Sequence, residues 1–229
     1  MSVKKKLSVL EQLYGLHDKA LADLGMGDLF CEKGCAQCCT CNVTLTRLEA
    51  FYIKEGLGED RFRVLERLAQ GAPEPRYRPQ LSMNAFVRAC MEGEDAPDGE
   101  NDPSWGSCPL LEDGICTIYP LRPLGCRSLV SRKNCAETGY ADMDPLVLTL
   151  NNLFIQFVEH LDRDGRTGNF SDMLMAVLDG EENGLTLEGK GFAPNGPIPV
   201  LMVEPAHQEA LIPVVQEIQD ILEGGGVTL

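Results

Sequence analysis

The sequence predicts a mainly α chain with a small β-hairpin and an irregular cysteine-rich metal-binding region, an α+β fold class. Three observations carry that reading: long segments with apolar residues at helical spacing, one pair of short apolar arms around Glu112, Asp113 and Gly114, and the run CEKGCAQCC from Cys31 to Cys39. At 229 residues the chain can bury an adequate core without covalent staples. No internal repeat, low-complexity tract or strong boundary divides it, so a single domain over 1–229 is expected, with the cysteine region at about 31–135.

Residues 4 to 24 carry Leu7, Leu10, Leu13, Tyr14, Leu21 and Leu24 at helical spacing, and Gly25 and Gly27 are expected to stop that helix just before the first cysteine group. Thr46 with Glu49 three residues on is a capping box that opens a helix through about residue 55. Gly56 and Gly58 separate it from a second amphipathic run, Phe62 to Leu68. The segment GAPEPRYRP is too rich in proline for helix. Residues 81 to 91 return to helical character and put Cys90 on an apolar face, where a lone cysteine reads as a small core residue. GEDAPDGENDPSWGS then reads as an acidic, exposed loop.

From Cys108 the texture changes. CPLLEDGICTIY predicts a hairpin with Cys108 and Cys116 on its arms, and Pro120 and Pro123 predict a tight, non-helical path to Cys126. Helices follow over 144 to 162, 170 to 178 and about 206 to 222, the last with Leu211, Val214, Val215, Ile218, Ile221 and Leu222 as its buried stripe.

Thiolates are soft ligands that select zinc, copper(I) or iron–sulfur clusters, and the spacings between Cys31, Cys35, Cys38 and Cys39 let consecutive sulfurs converge. Their partners arrive later as Cys108, Cys116, Cys126 and Cys135. Disulfides are the rival reading for ten cysteines. In MSVKKKLSVLEQ, Glu11 and Gln12 interrupt the apolar stretch before a secretory segment can form, so a cytoplasmic location is expected. In that reducing compartment clustered cysteines read as ligands or redox thiols.

A net charge of -15 opposes bulk binding to nucleic acid or anionic lipid, and no apolar run reaches the roughly 18 residues of a bilayer span. The expected partner is a protein or redox partner of unspecified identity. A small basic surface is expected near Arg122, Arg127, Arg132 and Lys133. Arg122 and Arg127 flank Cys126, where guanidinium groups offset the charge of an anionic centre.

The ordered blocks CEKGCAQCC, LTRLEA, CPLL and CTIYPLRPLGCR resemble the YkgJ-like, or CxxCxxCC, cysteine-cluster family of zinc- or iron-chelating domains. The resemblance covers roughly residues 31 to 130 and maps onto Cys31, Cys35, Cys38, Cys39, Cys108, Cys116 and Cys126, with Tyr119, Arg122, Pro123 and Arg127 around the last two. It implies metal chelation and no defined reaction. Cys41, Cys90 and Cys135 fall outside it.

Adjacent residues of an extended chain point to opposite sides, so Cys38 and Cys39 either serve two neighbouring centres or divide into one ligand and one supporting thiol. Cys39 and Cys41 share a side if that segment is extended. Cys135 reads as an eighth ligand or a surface thiol. One dense group plus separate later cysteines favours an iron–sulfur cluster, with an electron-transfer role, over zinc; the alternative is a structural zinc-binding interaction module. A further alternative is a radical S-adenosylmethionine or methyltransferase-like enzyme, because Cys31, Cys35 and Cys38 show the C-x3-C-x2-C spacing. Against it, Gln37 stands where an aromatic residue is usual, and repeated strand–helix units are missing. His17, His160 and His207 lie far from the cysteines and read as packing or solvent-facing residues. No Ser/His/Asp set, Walker loop or nucleotide fingerprint is present.

Overall fold

The computed structural model describes residues 1–24, 29–31, 33–97, 99–180 and 191–228. The expected stops Gly25 and Gly27, and Asp98 of the acidic loop, lie outside the described residues. Among the described residues helices hold 55% and strands 7%, so the architecture is mainly helical with small antiparallel sheets.

Helix α1 (Val3–Asp23) starts at Ser2, whose hydroxyl accepts from Lys5 N, and buries Leu10, Leu13, Tyr14, His17 and Leu21 along one face. Strand β1 (Thr44–Thr46) runs into α2 (Arg47–Leu57) through the expected capping box: Thr46 Oγ1 accepts from Glu49 N while Glu49 Oε2 accepts from Thr46 N at 2.8 Å. Gly56 lies inside α2 and does not end it. A β-carbon there would come within 2.4 Å of Leu121, so the glycine admits a neighbouring segment, and the break falls at Gly58 with φ +54°.

Helices α3 (Arg61–Gly71) and α4 (Met83–Glu92) follow on either side of the proline-rich segment. Strands β2 (Leu111–Glu112) and β3 (Ile115–Cys116) form the expected hairpin, with Leu111 opposite Cys116 and both turn residues, Asp113 and Gly114, at positive φ. Two short helices, α5 (Leu124–Arg127) and α6 (Cys135–Thr138), precede the long α7 (Pro145–Leu161). Strand β4 (Arg166–Asn169) feeds α8 (Phe170–Leu178), β5 (Ala193–Pro194) follows, and α9 (Gln208–Gly225) closes the chain.

Strands β1, β4 and β5 make a three-stranded antiparallel sheet in the order β1-β4-β5, with Leu45 opposite Gly168 and Thr167 opposite Ala193. Sequence periodicity does not reveal this sheet, because strands of two to four residues show no alternation long enough to read. One core packs α1, α7 and α9 around Leu13, Phe154, Phe157 and Ile218; a second packs α2, α3 and α8 around Ile53, Leu68, Met173 and the hairpin base at Leu110. Helix α2 belongs to both, offering Leu48 to the first and Ala50 and Ile53 to the second. No helix among the described residues is long and apolar enough to cross a membrane.

Behind this shared helix sits Asp162, only 2% exposed. It accepts from Leu48 N at 3.1 Å and from Asn195 Nδ2, with the Arg47 guanidinium 3.8 Å away. Burial outweighs Arg47 and pushes the carboxyl up to about 6. A carboxyl raised in the folded state binds its proton more tightly there than in the unfolded chain, so its contribution is greatest below the unfolded pKa and is lost as pH climbs from about 4 through about 6. Urea unfolding between pH 4.5 and 7 should therefore show stability falling with pH. Asp162→Asn should remove a component on the order of 2 kcal/mol from that fall; an unchanged slope in the variant would exclude the assignment.

Candidate metal centre

Residues 33–40 form turns and not an extended strand: Cys39 N donates to the Ala36 carbonyl at 3.0 Å and Thr40 N to the Cys38 carbonyl at 2.9 Å. Those turns correct the expectation that Cys38 and Cys39 face opposite ways. Both thiols line one partly enclosed chamber of about 60 Å³, a space for more than one water-sized group.

The later cysteines arrive by a backbone stitch. Cys108 N donates to the Cys39 carbonyl at 2.8 Å, Cys41 N donates to the Gly106 carbonyl at 2.9 Å, and Thr40 bridges Ser107. This extended pairing spends the backbone groups around Cys108, so Cys108 precedes the hairpin and is not on its arm, which corrects the expected placement. Cys116 does lie on β3. Cys126 sits inside α5, not on a non-helical path; Pro123 is the N-cap of that helix, and Cys126 N donates to its carbonyl at 3.0 Å. A proline can occupy a helix start because no backbone donor is needed there.

Cys31, Cys35, Cys38, Cys39, Cys108, Cys116 and Cys126 thus all line the same chamber, with Val43, Leu110, Ile118 and Phe170 as apolar wall and Arg122 as the cation. The Arg122 guanidinium lies 3.6 Å above the Tyr119 ring and donates to the Tyr119 carbonyl at 3.1 Å, which fixes it beside the sulfurs. Arg127 is placed differently from the sequence expectation. It pairs with Asp18 at 2.9 Å, lies over the Tyr14 ring and donates to the Arg122 and Pro120 carbonyls, outside the chamber lining. The expected basic surface is neutralised as well, since Arg132 pairs with Asp144 and Lys133 with Asp142.

All ten cysteines are free thiols. The Cys38 thiol is pushed well up by its contact with Cys39 and by burial, and Cys126 by burial and by the neighbouring Cys108 and Cys116 sulfurs. Burial pushes Cys108 up to about 11 and raises Cys116 and Cys31. Arg122 pulls Cys38, Cys116 and Cys126 partly back down. Among the described residues no group of three or more His, Cys, Asp or Glu side chains stands arranged to hold a metal ion. The donor chemistry nonetheless fits a soft metal: among the described residues the chamber lining holds sulfur and no carboxylate or imidazole.

Cys41 is buried and turned away, its Sγ toward Asn42 Oδ1 and the Pro75 carbonyl, so it does not share a side with Cys39. Cys135, at the start of α6, approaches the Lys133 carbonyl, while Cys31 approaches the Ser131 carbonyl two residues earlier; Cys135 is one of the thiols that Cys31 senses. Cys90 is exposed, which corrects its reading as a core residue. The buried face of α4 is chosen instead by Asn84, whose amide donates to the Gln156 and Gly196 carbonyls and whose N–H donates to Glu159. His17 and His160 are buried packing residues, and His207 bonds Thr149.

The chamber's back wall is thin and close-packed. A β-carbon at Gly125, next to Cys126, would lie 2.6 Å from the Thr44 carbonyl oxygen, and backbone cannot yield as a side chain can. Gly125→Ala should cost on the order of 2 kcal/mol in chemical denaturation; a neutral effect would show the wall to be loose. Exposure makes Cys90 the expected fastest thiol in a native disulfide-exchange assay, a phase that Cys90→Ser should abolish. Comparison with protein-family models, curated proteins and solved structures finds no match to this chain, so the reading of the site rests on its own residues.

Proposed function

We propose that the thiol-lined chamber is a metal centre, an iron–sulfur cluster in preference to zinc, and that the protein serves electron transfer. The observation that carries this reading is the convergence of seven cysteines from separate chain segments on one chamber with an apolar wall. A bound cluster supplies one-electron redox chemistry. The chain's residues supply the rest: thiolates to hold it, Arg122 to offset negative charge, and Val43, Leu110, Ile118 and Phe170 to limit water.

Cys126 senses Cys108, Cys116 and Cys38, and Cys31 senses Cys35, Cys38 and Cys135, so Cys38 links the two ends of one continuous group of thiols. Cys135 is sensed by Cys31 and Cys41 by Cys108, but the Cys41 Sγ turns toward Asn42 Oδ1 and the Pro75 carbonyl, and that direction favours Cys135 as the eighth thiol of a paired arrangement. Zinc is the second reading. Thiolates from the first cysteine group and from the hairpin region, held by one zinc, would close a long loop and stabilise the fold without catalysis. The antiparallel pairing of the described strands gives no support to a barrel of the radical S-adenosylmethionine type.

Anaerobically purified protein should be brown, with iron and sulfide by elemental analysis; colourless protein with zinc would replace the redox reading by the structural one, and metal-free protein would sink both. Cys126→Ser should lose most of the metal. Cys135→Ser should lose about half of it under the paired arrangement, and Cys41→Ser almost none. Equal, full metal content in Cys135→Ser and wild type would reject the pairing.

A further inference from the structure

A second cavity, of about 360 Å³, lies behind the wall of the thiol chamber. At the start of β1, Val43 just before the strand lines the chamber and Thr44 the cavity; along α5, Cys126 lines the chamber while Leu124 and Gly125 line the cavity. The two spaces are therefore one backbone thickness apart. The cavity's size falls within the range of small-molecule sites. Its wall is apolar and aromatic, from Leu45, Tyr77, Met83, Phe86, Ile155 and Met202.

Its polar inventory is one-sided. Among the described residues no Lys, Arg or His lines the cavity, whereas Glu49 and Glu159 both do. Each carboxylate is buried and makes no ion pair among the described residues. Glu49 accepts from Tyr14, Thr46 and Leu124, and Glu159 from Asn84 N and Gly196 N, so all these partners are neutral donors. The half-buried amide of Asn152, on the α7 wall, makes no hydrogen bond to a described residue. A space with two desolvated carboxylates, no cation and aromatic faces repels anions and attracts a positive charge carried on an apolar body.

We propose that this cavity binds a small organic cation, an alkylammonium whose apolar tail packs on Phe86, Met83 and Ile155 and whose charged head is anchored by the Asn152 amide oxygen. The exclusion of anions makes phosphorylated cofactors and carboxylic acids poor occupants. Bound ligand would sit against the Thr44 and Gly125 wall, next to the thiol chamber, but the site itself does not depend on which metal the chamber holds.

Isothermal titration calorimetry of the full-length protein with n-hexylammonium chloride, 1-hexanol and sodium hexanoate separates the terms. Hexylammonium should bind saturably and about tenfold more tightly than hexanol, with hexanoate showing no binding. Asn152→Phe, which fills the cavity, should abolish the signal. Because that variant places a larger side chain on a core helix, Phe86→Ala, at a partly exposed position, provides the second arm and should weaken binding about threefold. Flat wild-type titrations, equal affinity for amine and alcohol, or binding undiminished in both variants would overturn the proposal.

Discussion

The Glu49 carboxylate is the interaction on which the arrangement of the site depends. It begins as a local device, the N3 acceptor of the capping box that starts α2. The same carboxylate then accepts from Tyr14 Oη of α1 at 2.9 Å and from Leu124 N of α5 at 2.8 Å. Three helices are thereby referred to one buried group, 3% exposed, and the third carries Cys126. Burial raises the Glu49 pKa, and the backbone donors of Thr46 and Leu124 oppose that rise. Removing one partner of such a group leaves the others facing an unsatisfied polar atom, so its contribution lies as much in geometry as in stability. Arg127 belongs to this arrangement: it covers the Tyr14 ring and pairs with Asp18, bracing α1 against the α5 loop.

The chamber is assembled from the backbone outward. The turn hydrogen bonds of residues 36–40, the pairing of Cys39 with Cys108 and the bond from Phe30 N to the Ser131 carbonyl bring the segments together before any thiol is engaged. Buried amides complete the frame: Asn42 spans Asp102 and Tyr77, and Asn169 holds the Cys41 and Tyr77 carbonyls. Such groups are costly to bury unless satisfied, and here each finds partners from distant parts of the chain. Burial and mutual proximity favour the protonated form of the Cys38, Cys108 and Cys126 thiols, with Arg122 fixed beside them by Tyr119.

Local signals account for what was legible. The α2 capping box, the Asp-Gly turn of the hairpin, and the span of α8 at residues 170 to 178 follow from interactions within a few residues of one another. Cys90 shows where that logic fails. The apolar residues of α4 suggested its buried face, but Asn84 has hydrogen-bond partners in α7 and near Gly196, and satisfying a buried amide outweighed burying a small thiol. Gly56, read as a helix break, and Gly125, not singled out at all, show the same limit, because a glycine required by close approach, to Leu121 in one case and to the Thr44 carbonyl in the other, looks no different in sequence from one in a turn.

By itself the sequence determined the mainly helical class, the hairpin and the identity of the sulfur-rich segments, since spacing, caps and turn residues act over short range. Only the tertiary structure decided that Cys38 and Cys39 face one chamber, that Arg122 and not Arg127 lines it, and that Cys135 lies by Cys31 while Cys41 turns away. It also decided the β1-β4-β5 sheet, whose strands come from opposite ends of the chain. The physical reason is common to all of these: a side chain's direction follows from turns, backbone pairings and buried hydrogen bonds made with residues far away in sequence, and no local pattern encodes the distant partner.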